Sequence, residues 1–81
     1  MKELIEYIAK QLVDDPEAVK VVENESGEKV RIELHVAQDD MGKVIGKGGR
    51  IANSMRVLLR VAAAREGKHA SLDIVDPDKS E

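Results

Sequence analysis

The sequence has no cysteine, tryptophan or phenylalanine, and Tyr7 is its only aromatic residue. Without cysteine the chain can form neither a disulfide nor a thiolate metal site. The two histidines, His35 and His69, have no further histidine or carboxylate at the spacing of metal ligands, so the sequence predicts no metal site. The near-absence of aromatic side chains excludes nucleic-acid binders that stack bases on exposed aromatic rings.

Long apolar runs are absent as well. No stretch approaches the roughly 20 apolar residues that a helix needs to span a membrane. The first residues, Met1-Lys2-Glu3, open without the apolar region of a signal peptide. These features predict a soluble, cytoplasmic protein. Ser54 and Ser71 have no evident His–Asp partner, so the sequence predicts neither an enzyme nor a cofactor.

The charge of the chain is unevenly distributed. The 81 residues are enough for one small domain, and their net charge is −3. From Met41 to Ala70 there are seven basic residues and one acidic residue, a local charge of +6, whereas the rest carries six basic and fifteen acidic residues, or −9. Such asymmetry is typical of a local anion-binding face, although helix surfaces are also basic by chance.

Hydrophobic periodicity predicts three helices and three strands. Pro16 ends the first helix, and strict alternation from Lys29 to Ala37 marks a half-buried strand that forms a hairpin with the strand before it. Asp39 and Asp40 are predicted to cap the next helix. The predicted helices lie at about 3–13, 40–45 and 49–65, and the predicted strands at about 19–25, 29–37 and 69–75. The helical crossover favours parallel pairing of the last two strands.

The last predicted helix has two apolar strips. The first, expected to face the core, contains Ile51, Met55, Leu58, Leu59 and Ala62. The second contains Val57, Val61 and Ala64. A surface helix needs only one apolar strip. The second strip is therefore either buried under the sheet or the first helix, or exposed as a surface for a partner, and the sequence leaves both alternatives open.

The stretch Val44-Ile45-Gly46-Lys47-Gly48-Gly49-Arg50-Ile51 places three glycines and two cations before the last helix. Glycine accepts positive φ and lets a backbone approach a ligand closely, and a helix N-terminus favours phosphate. Glycines between elements also form ordinary turns. A nucleotide P-loop is excluded because Gly42 and Gly46 are one residue too close and Gly48 stands where Ser or Thr is required. A dinucleotide fingerprint is excluded because Ile51 takes the place of its third glycine.

Together with the element order, this stretch resembles the V-I-G-x-x-G loop of KH domains, an RNA-binding fold. The resemblance covers about residues 2–76, and the chain length and the run Gly49-Arg50-Ile51-Ala52 are similar to those of the small bacterial KhpA family. It implies an α+β fold, a single type II KH domain in the order α-β-β-α-α-β, with a three-stranded mixed sheet and three helices packed on one face. The KH domain is expected to span residues 1–76, followed by a polar C-terminal tail at 77–81.

The resemblance also implies which residues bind RNA. The loop Gly46 to Gly49 would hold the sugar-phosphate backbone, an aliphatic floor would contact the bases, and the edge of the last strand would hydrogen-bond base edges. The implied RNA-binding residues are Lys43, Val44, Ile45, Gly46, Lys47, Gly48, Gly49, Arg50, Ile51, Ala70, Ser71 and Leu72. The chain departs from the family pattern at Ala52, where Ile or Leu is usual.

The implied function is single-stranded RNA binding by an RNA chaperone or post-transcriptional regulator that influences cell shape. The implied protein partner is a second copy of the chain or a KhpB-like KH protein, and the strip Val57, Val61 and Ala64 is the expected dimer interface. An alternative function is that of a KH-fold adaptor that acts mainly through a partner protein.

Overall fold

The computed structural model describes residues 1–77, so residues 78–81 of the expected tail lie outside the described residues. The elements are helix α1 (Lys2–Leu12), strands β1 (Lys20–Ser26) and β2 (Lys29–His35), helix α2 (Met41–Arg65) and strand β3 (His69–Val75). Short 3-10 turns at Pro16–Ala18 and Gln38–Asp40 lead into β1 and α2. Within the described residues, no helix is long and apolar enough to cross a membrane.

The three strands form one mixed sheet in the order β1-β2-β3. β1 and β2 are antiparallel, with Ser26 opposite Lys29, whereas β2 and β3 are parallel, with Lys29 opposite His69. The predicted mixed sheet, its hairpin and its parallel crossover are confirmed. β3 pairs with β2 alone, so its outer backbone edge lies at the border of the sheet.

The core lies between one face of the sheet and the two helices. In β2 the predicted alternation is observed, because Val30, Ile32 and Leu34 are buried and the residues between them are exposed or half-buried. From α1, Ile5 and Ala9 enter the same core. Each buried Leu or Ile side chain contributes about 1.5–3 kcal/mol relative to an exposed one. The amphipathic pattern of the sequence is therefore what closes the two layers.

The expected number of helices is wrong. In place of three helices in the order α-β-β-α-α-β, the described residues contain two α-helices, in the order α1-β1-β2-α2-β3. The segments predicted at 40–45 and 49–65 belong to one helix, α2, which is interrupted by non-helical dihedral angles from Gly46 to Gly49. Three glycines among these four positions accept such angles at low cost. The chain therefore kinks and resumes its helical course without leaving the helix for a long loop.

The buried face of α2 is rotated from the predicted one. Its buried residues after the glycine loop are Ala52, Met55, Leu59 and Ala63. Leu58, predicted to face the core, is 49% exposed, so this prediction is wrong. Met55 and Leu59 of this face belong to the same core cluster as Leu72 of β3. Ala52, the departure from the family pattern, is thus a core residue.

The second apolar strip of α2 lies on the surface. Val57 is 54% exposed, Val61 is 52% exposed, and Ala64 is exposed as well. The alternative in which this strip is buried under the sheet or under α1 is therefore wrong. With the neighbouring Leu58, these residues form an apolar surface patch that residues 1–77 leave uncovered.

Asp40 occupies the predicted N-cap position of α2, but its side chain does not cap the helix. The carboxylate makes no capping hydrogen bond to α2. It is buried, and it accepts hydrogen bonds from the backbone amides of Asp14 and Asp15, each at 3.1 Å. The ammonium of Lys43 lies 3.6 Å from the Asp40 carboxylate. Asp40 thus ties the turn after α1 to the start of α2, the helix that presents the glycine loop.

Candidate nucleic-acid interface

The glycine loop interrupts α2 by turning the backbone into the left-handed region. The φ angle is 56° at Lys47, 68° at Gly48 and 92° at Gly49. Lys47 is the one non-glycine residue with positive φ in the described chain, a conformation that costs roughly 1–2 kcal/mol for an ordinary residue. A Cβ added at Gly48 or Gly49 would meet no atom within 4 Å. The loop is therefore strained at its lysine and open on its outer side, as is typical of ligand-binding turns.

The free positive charge of the loop comes from Lys47 and Arg50. Both side chains are exposed, and within residues 1–77 neither has a hydrogen bond or an ion pair. Lys43 is placed differently, because its ammonium lies 2.9 Å from the Asp14 carboxylate. This hydrogen bond raises the pKa of Lys43 above its ordinary value. Lys43 holds the fold, whereas Lys47 and Arg50 are available to an anion.

The predicted aliphatic floor is only partly exposed. Val44 is fully buried in the core and supports the loop from beneath. Ile45 is 42% exposed, and Ile51 is half-buried against the core. A Cβ added at Gly46 would lie 3.0 Å from the Ile51 side chain, so the missing side chain at Gly46 leaves room for the floor. The side chains that a base can reach here are those of Ile45 and Ile51.

The outer edge of β3 carries the remaining predicted residues. Ala70 is half-buried, Ser71 is exposed and Leu72 is buried. The Leu72 carbonyl accepts a hydrogen bond from Nε of Arg56 in α2, at 3.3 Å. Because this carbonyl points away from β2, and because backbone groups alternate along a strand, Ala70 also presents its polar backbone groups to the outer edge.

The loop and this edge lie along the same side of α2. Asn53 and Arg56, just after the loop, are spaced i and i+3, which places them on one helix face, and Arg56 also donates to the Asn53 side chain at 3.3 Å. Arg56 was not among the predicted site residues. The sequence signal that could have identified it is the polar stripe of Asn53, Arg56 and Arg60 beside the buried face.

Other charged side chains stabilise the fold around the site. Arg31 of β2 pairs with Asp73 of β3 at 2.7 Å. Lys68 donates a hydrogen bond to Glu25, which raises the pKa of Lys68. Among the described residues, no group of three or more His, Asp or Glu side chains is arranged to hold a metal ion. The arrangement offers backbone amides, free cations and a short aliphatic surface, which suits a phosphate-bearing chain.

Comparison with known proteins bears on this arrangement. A family model described as KhpA/KhpB, KH domain, matches residues 2–74. The RNA-binding protein KhpA of Halalkalibacterium halodurans is 49% identical over 76 residues, covering 94% of this chain and 100% of that protein. The RNA-binding protein KhpA of Caldanaerobacter subterraneus subsp. tengcongensis is 51% identical over 75 residues, covering 93% and 100%. That of Aquifex aeolicus is 42% identical over 76 residues, covering 94% and 96%.

The relatives bear names of binding proteins and not of enzymes, so the prediction of a non-enzymatic protein is confirmed. The match extends over both helices and over nearly all of the three-stranded sheet. It includes the strained glycine loop, which the dihedral angles mark as the most unusual backbone of the described chain. The chain belongs to the KhpA/KhpB family of KH domains.

Proposed function

We propose that the chain binds single-stranded RNA and that the loop Gly46 to Gly49 clamps the RNA backbone. The observation that carries this proposal is a left-handed loop with two cations, Lys47 and Arg50, that have no partner among residues 1–77. Its relatives are named RNA-binding proteins, and the G-x-x-G loop of KH domains holds a short stretch of nucleotides by its backbone.

Each part of the interface has its own role in this proposal. Backbone amides of the loop and the Lys47 ammonium bind phosphate oxygens, because glycine lets the RNA backbone approach closely. Ile45 and Ile51 contact the faces of the bases. The backbone at Ala70 and Leu72 bonds their edges, and Arg50 adds charge. The aliphatic contacts and the phosphate contacts carry little base discrimination, so the binding tolerates many sequences.

A sequence-tolerant binder of this kind suits an RNA chaperone or post-transcriptional regulator in the cytoplasm, which meets many transcripts. The absence of stacking aromatics supports weak binding by one domain, because each stacked base would add about 1–3 kcal/mol. Weak, tolerant contacts let RNA exchange quickly between partners. Effects on cell shape would follow through the regulated transcripts.

The affinity for a mixed-sequence single-stranded RNA is expected to depend on salt. If three or four phosphates are engaged, the logarithm of the binding constant falls with the logarithm of salt concentration with a slope of about −2 to −3. Fluorescence anisotropy titrations at several potassium chloride concentrations measure this slope. A slope near zero would contradict a phosphate clamp.

A second candidate function, as a protein-binding adaptor, is favoured by the exposed patch of Val57, Leu58, Val61 and Ala64 on α2. We propose that this patch pairs with the same patch of a second chain, or with that of a KhpB-like KH protein. Two-fold pairing covers the apolar side chains of both partners at once. RNA binding through the loop and pairing through α2 use different faces of the helix and are compatible.

Replacing Val57 and Val61 together by lysine is expected to convert a dimer into a monomer, because the opposing patches would then carry four facing ammonium groups. Sedimentation or light scattering should give twice the chain mass for the wild type and the mass of a single chain for the variant. Tyr7→Lys is the matched control, since Tyr7 is an exposed apolar residue of α1, 67% exposed. Equal masses for the wild type and the double variant would rule the α2 patch out as the dimer interface.

A further inference from the structure

Beyond the loop, α2 and β3 run side by side in opposite directions. Arg56 touches the backbone of Leu72. One helical turn later, Arg60 lines a cavity together with Ala70, two residues earlier in β3. We define the distal cavity by its lining, which is Arg60, Ala64, Gly67, Lys68, His69 and Ala70. The polar side of α2 thus follows the outer edge of β3 back to the start of that strand.

A continuous polar row connects the loop to the distal cavity. Asn53, Arg56 and Arg60 are spaced i, i+3 and i+7, so they lie on one side of the helix, and Asn53 follows the last loop glycine by four residues. From Asn53 to Arg60 the row is about 10 Å long, at roughly 1.5 Å per residue. Val57 and Val61 of the apolar patch lie further round the helix, whereas Ala64 of that patch also borders the distal cavity.

The distal cavity has the character of an anion site. Its volume is about 540 Å³, within the range of pockets that hold small ligands. Arg60 is exposed and, within the described residues, has no hydrogen bond or ion pair. Lys68 contributes a second ammonium, although that group is paired with Glu25. His69 is exposed at the rim. A free guanidinium in such a cavity is suited to bind a phosphate by two parallel hydrogen bonds.

We propose that bound RNA continues from the glycine loop along this polar row and that Arg60 holds a phosphate of a nucleotide in the distal cavity. The inference rests on the proposed RNA binding and extends it beyond the loop. The base of that nucleotide packs against the small side chains of Ala64 and Ala70 or against a guanidinium plane, because the sole aromatic residue, Tyr7, lies in α1. Arg56 lies midway and bridges the two ends.

The test compares RNA of two lengths, a mixed-sequence tetranucleotide and a mixed-sequence decanucleotide. Arg60→Gln is expected to weaken binding of the decanucleotide about threefold to tenfold and to leave the tetranucleotide unchanged. For the variant, the slope of the logarithm of the decanucleotide binding constant against the logarithm of salt concentration should be less steep by about 0.7. This is the contribution of one phosphate contact on a single strand. Arg65→Gln is the matched control, because it removes the same charge from an exposed position of the same helix, outside the polar row.

Amide chemical shifts of the wild type provide an independent readout. The decanucleotide should shift the amides of Gly67 and His69, which line the distal cavity, whereas the tetranucleotide should shift only those of the loop and of the β3 edge from Ala70 to Leu72. The inference is overturned if Arg60→Gln and Arg65→Gln weaken the decanucleotide equally, or if the cavity amides do not respond to it. If the wild type binds neither RNA, the proposed RNA-binding function fails, and the distal site fails with it.

Discussion

Replacing Lys47 and Gly48 together by aspartate is expected to lower the affinity for a mixed-sequence single-stranded RNA at least tenfold. The change removes one of the two free cations of the loop and places two carboxylates where the phosphates would lie. Like charges at a desolvated contact are strongly unfavourable, and backbone contacts provide most of the affinity in this mode of binding. Fluorescence anisotropy at fixed low salt measures the loss.

The fold is expected to survive this double substitution. A side chain at Gly48 meets no neighbouring atom, but its φ of 68° is unfavourable for a residue with a Cβ. Aspartate tolerates the left-handed region better than most residues, so the midpoint of thermal unfolding should fall by no more than about 5 °C. A circular dichroism melt checks this.

The matched control is Lys20→Asp together with Asn24→Asp in β1. It makes the same change in net charge at exposed positions on the strand that lies across the sheet from β3. Its new carboxylates face His35 and Arg31 of the neighbouring strand, so the sheet tolerates them. If this control weakens RNA binding as much as the loop variant does, overall charge and not the loop governs binding, and the clamp is wrong.

Replacing Asp40 by alanine is expected to lower the unfolding midpoint by about 10 °C. The substitution removes the charged acceptor of two part-buried hydrogen bonds from the Asp14 and Asp15 amides, and a hydrogen bond to a charged group contributes more than a neutral one. It also removes a partner of Lys43. Asp39→Ala is the control, because the Asp39 side chain is exposed in the same turn, and its midpoint should change by no more than about 2 °C.

The effect of Asp40 should depend on pH in a defined direction. Its hydrogen bond from the Asp14 amide, helped by the Asp15 amide and by Lys43, lowers the pKa of Asp40 below its ordinary value of 3.8. A lowered pKa in the folded state means that the stabilisation is complete above the ordinary value and is lost as pH falls through the lowered one. The difference in midpoint between wild type and Asp40→Ala should hold from about pH 7 to 5 and shrink in stronger acid. A difference that is absent at pH 7 would show that Asp40 is not an anchor.

Local patterns identified the elements of this fold, but not how α2 is continued. The alternation in Lys29–His35 and the short turn before it were sufficient to predict the hairpin, because alternation of apolar and polar residues with a period of two is typical of a β-strand. The three glycines of the loop had two meanings, a break between helices or a kink within one. The dihedral angles from Gly46 to Gly49 show that the loop is a kink within one helix. Residue propensities could not predict this, because glycine adopts positive and negative φ about equally well.

Some residues of the candidate site could be predicted from local sequence, and others could not. Gly46, Lys47, Gly48 and Arg50 were identifiable because the motif is contiguous in sequence. Two contributors escaped identification because their contacts are distant in sequence. Asp40 bonds amides 25 and 26 positions away, and Arg56 bonds a carbonyl 16 positions away. No local pattern carries the information that these atoms meet.

The sequence by itself determined a KH-type α+β domain with a cationic glycine loop, because strand alternation, helix periodicity and a contiguous motif are local properties. The tertiary structure decided which face of α2 is buried, since both strips are apolar in the sequence and only the packing brings Met55 and Leu59 into the core cluster with Leu72 of β3. It also decided which cations are free. Lys43 and Arg50 carry the same charge in the sequence, yet only the packing of the turn after α1 against α2 brings a carboxylate to Lys43 and leaves Arg50 for a ligand.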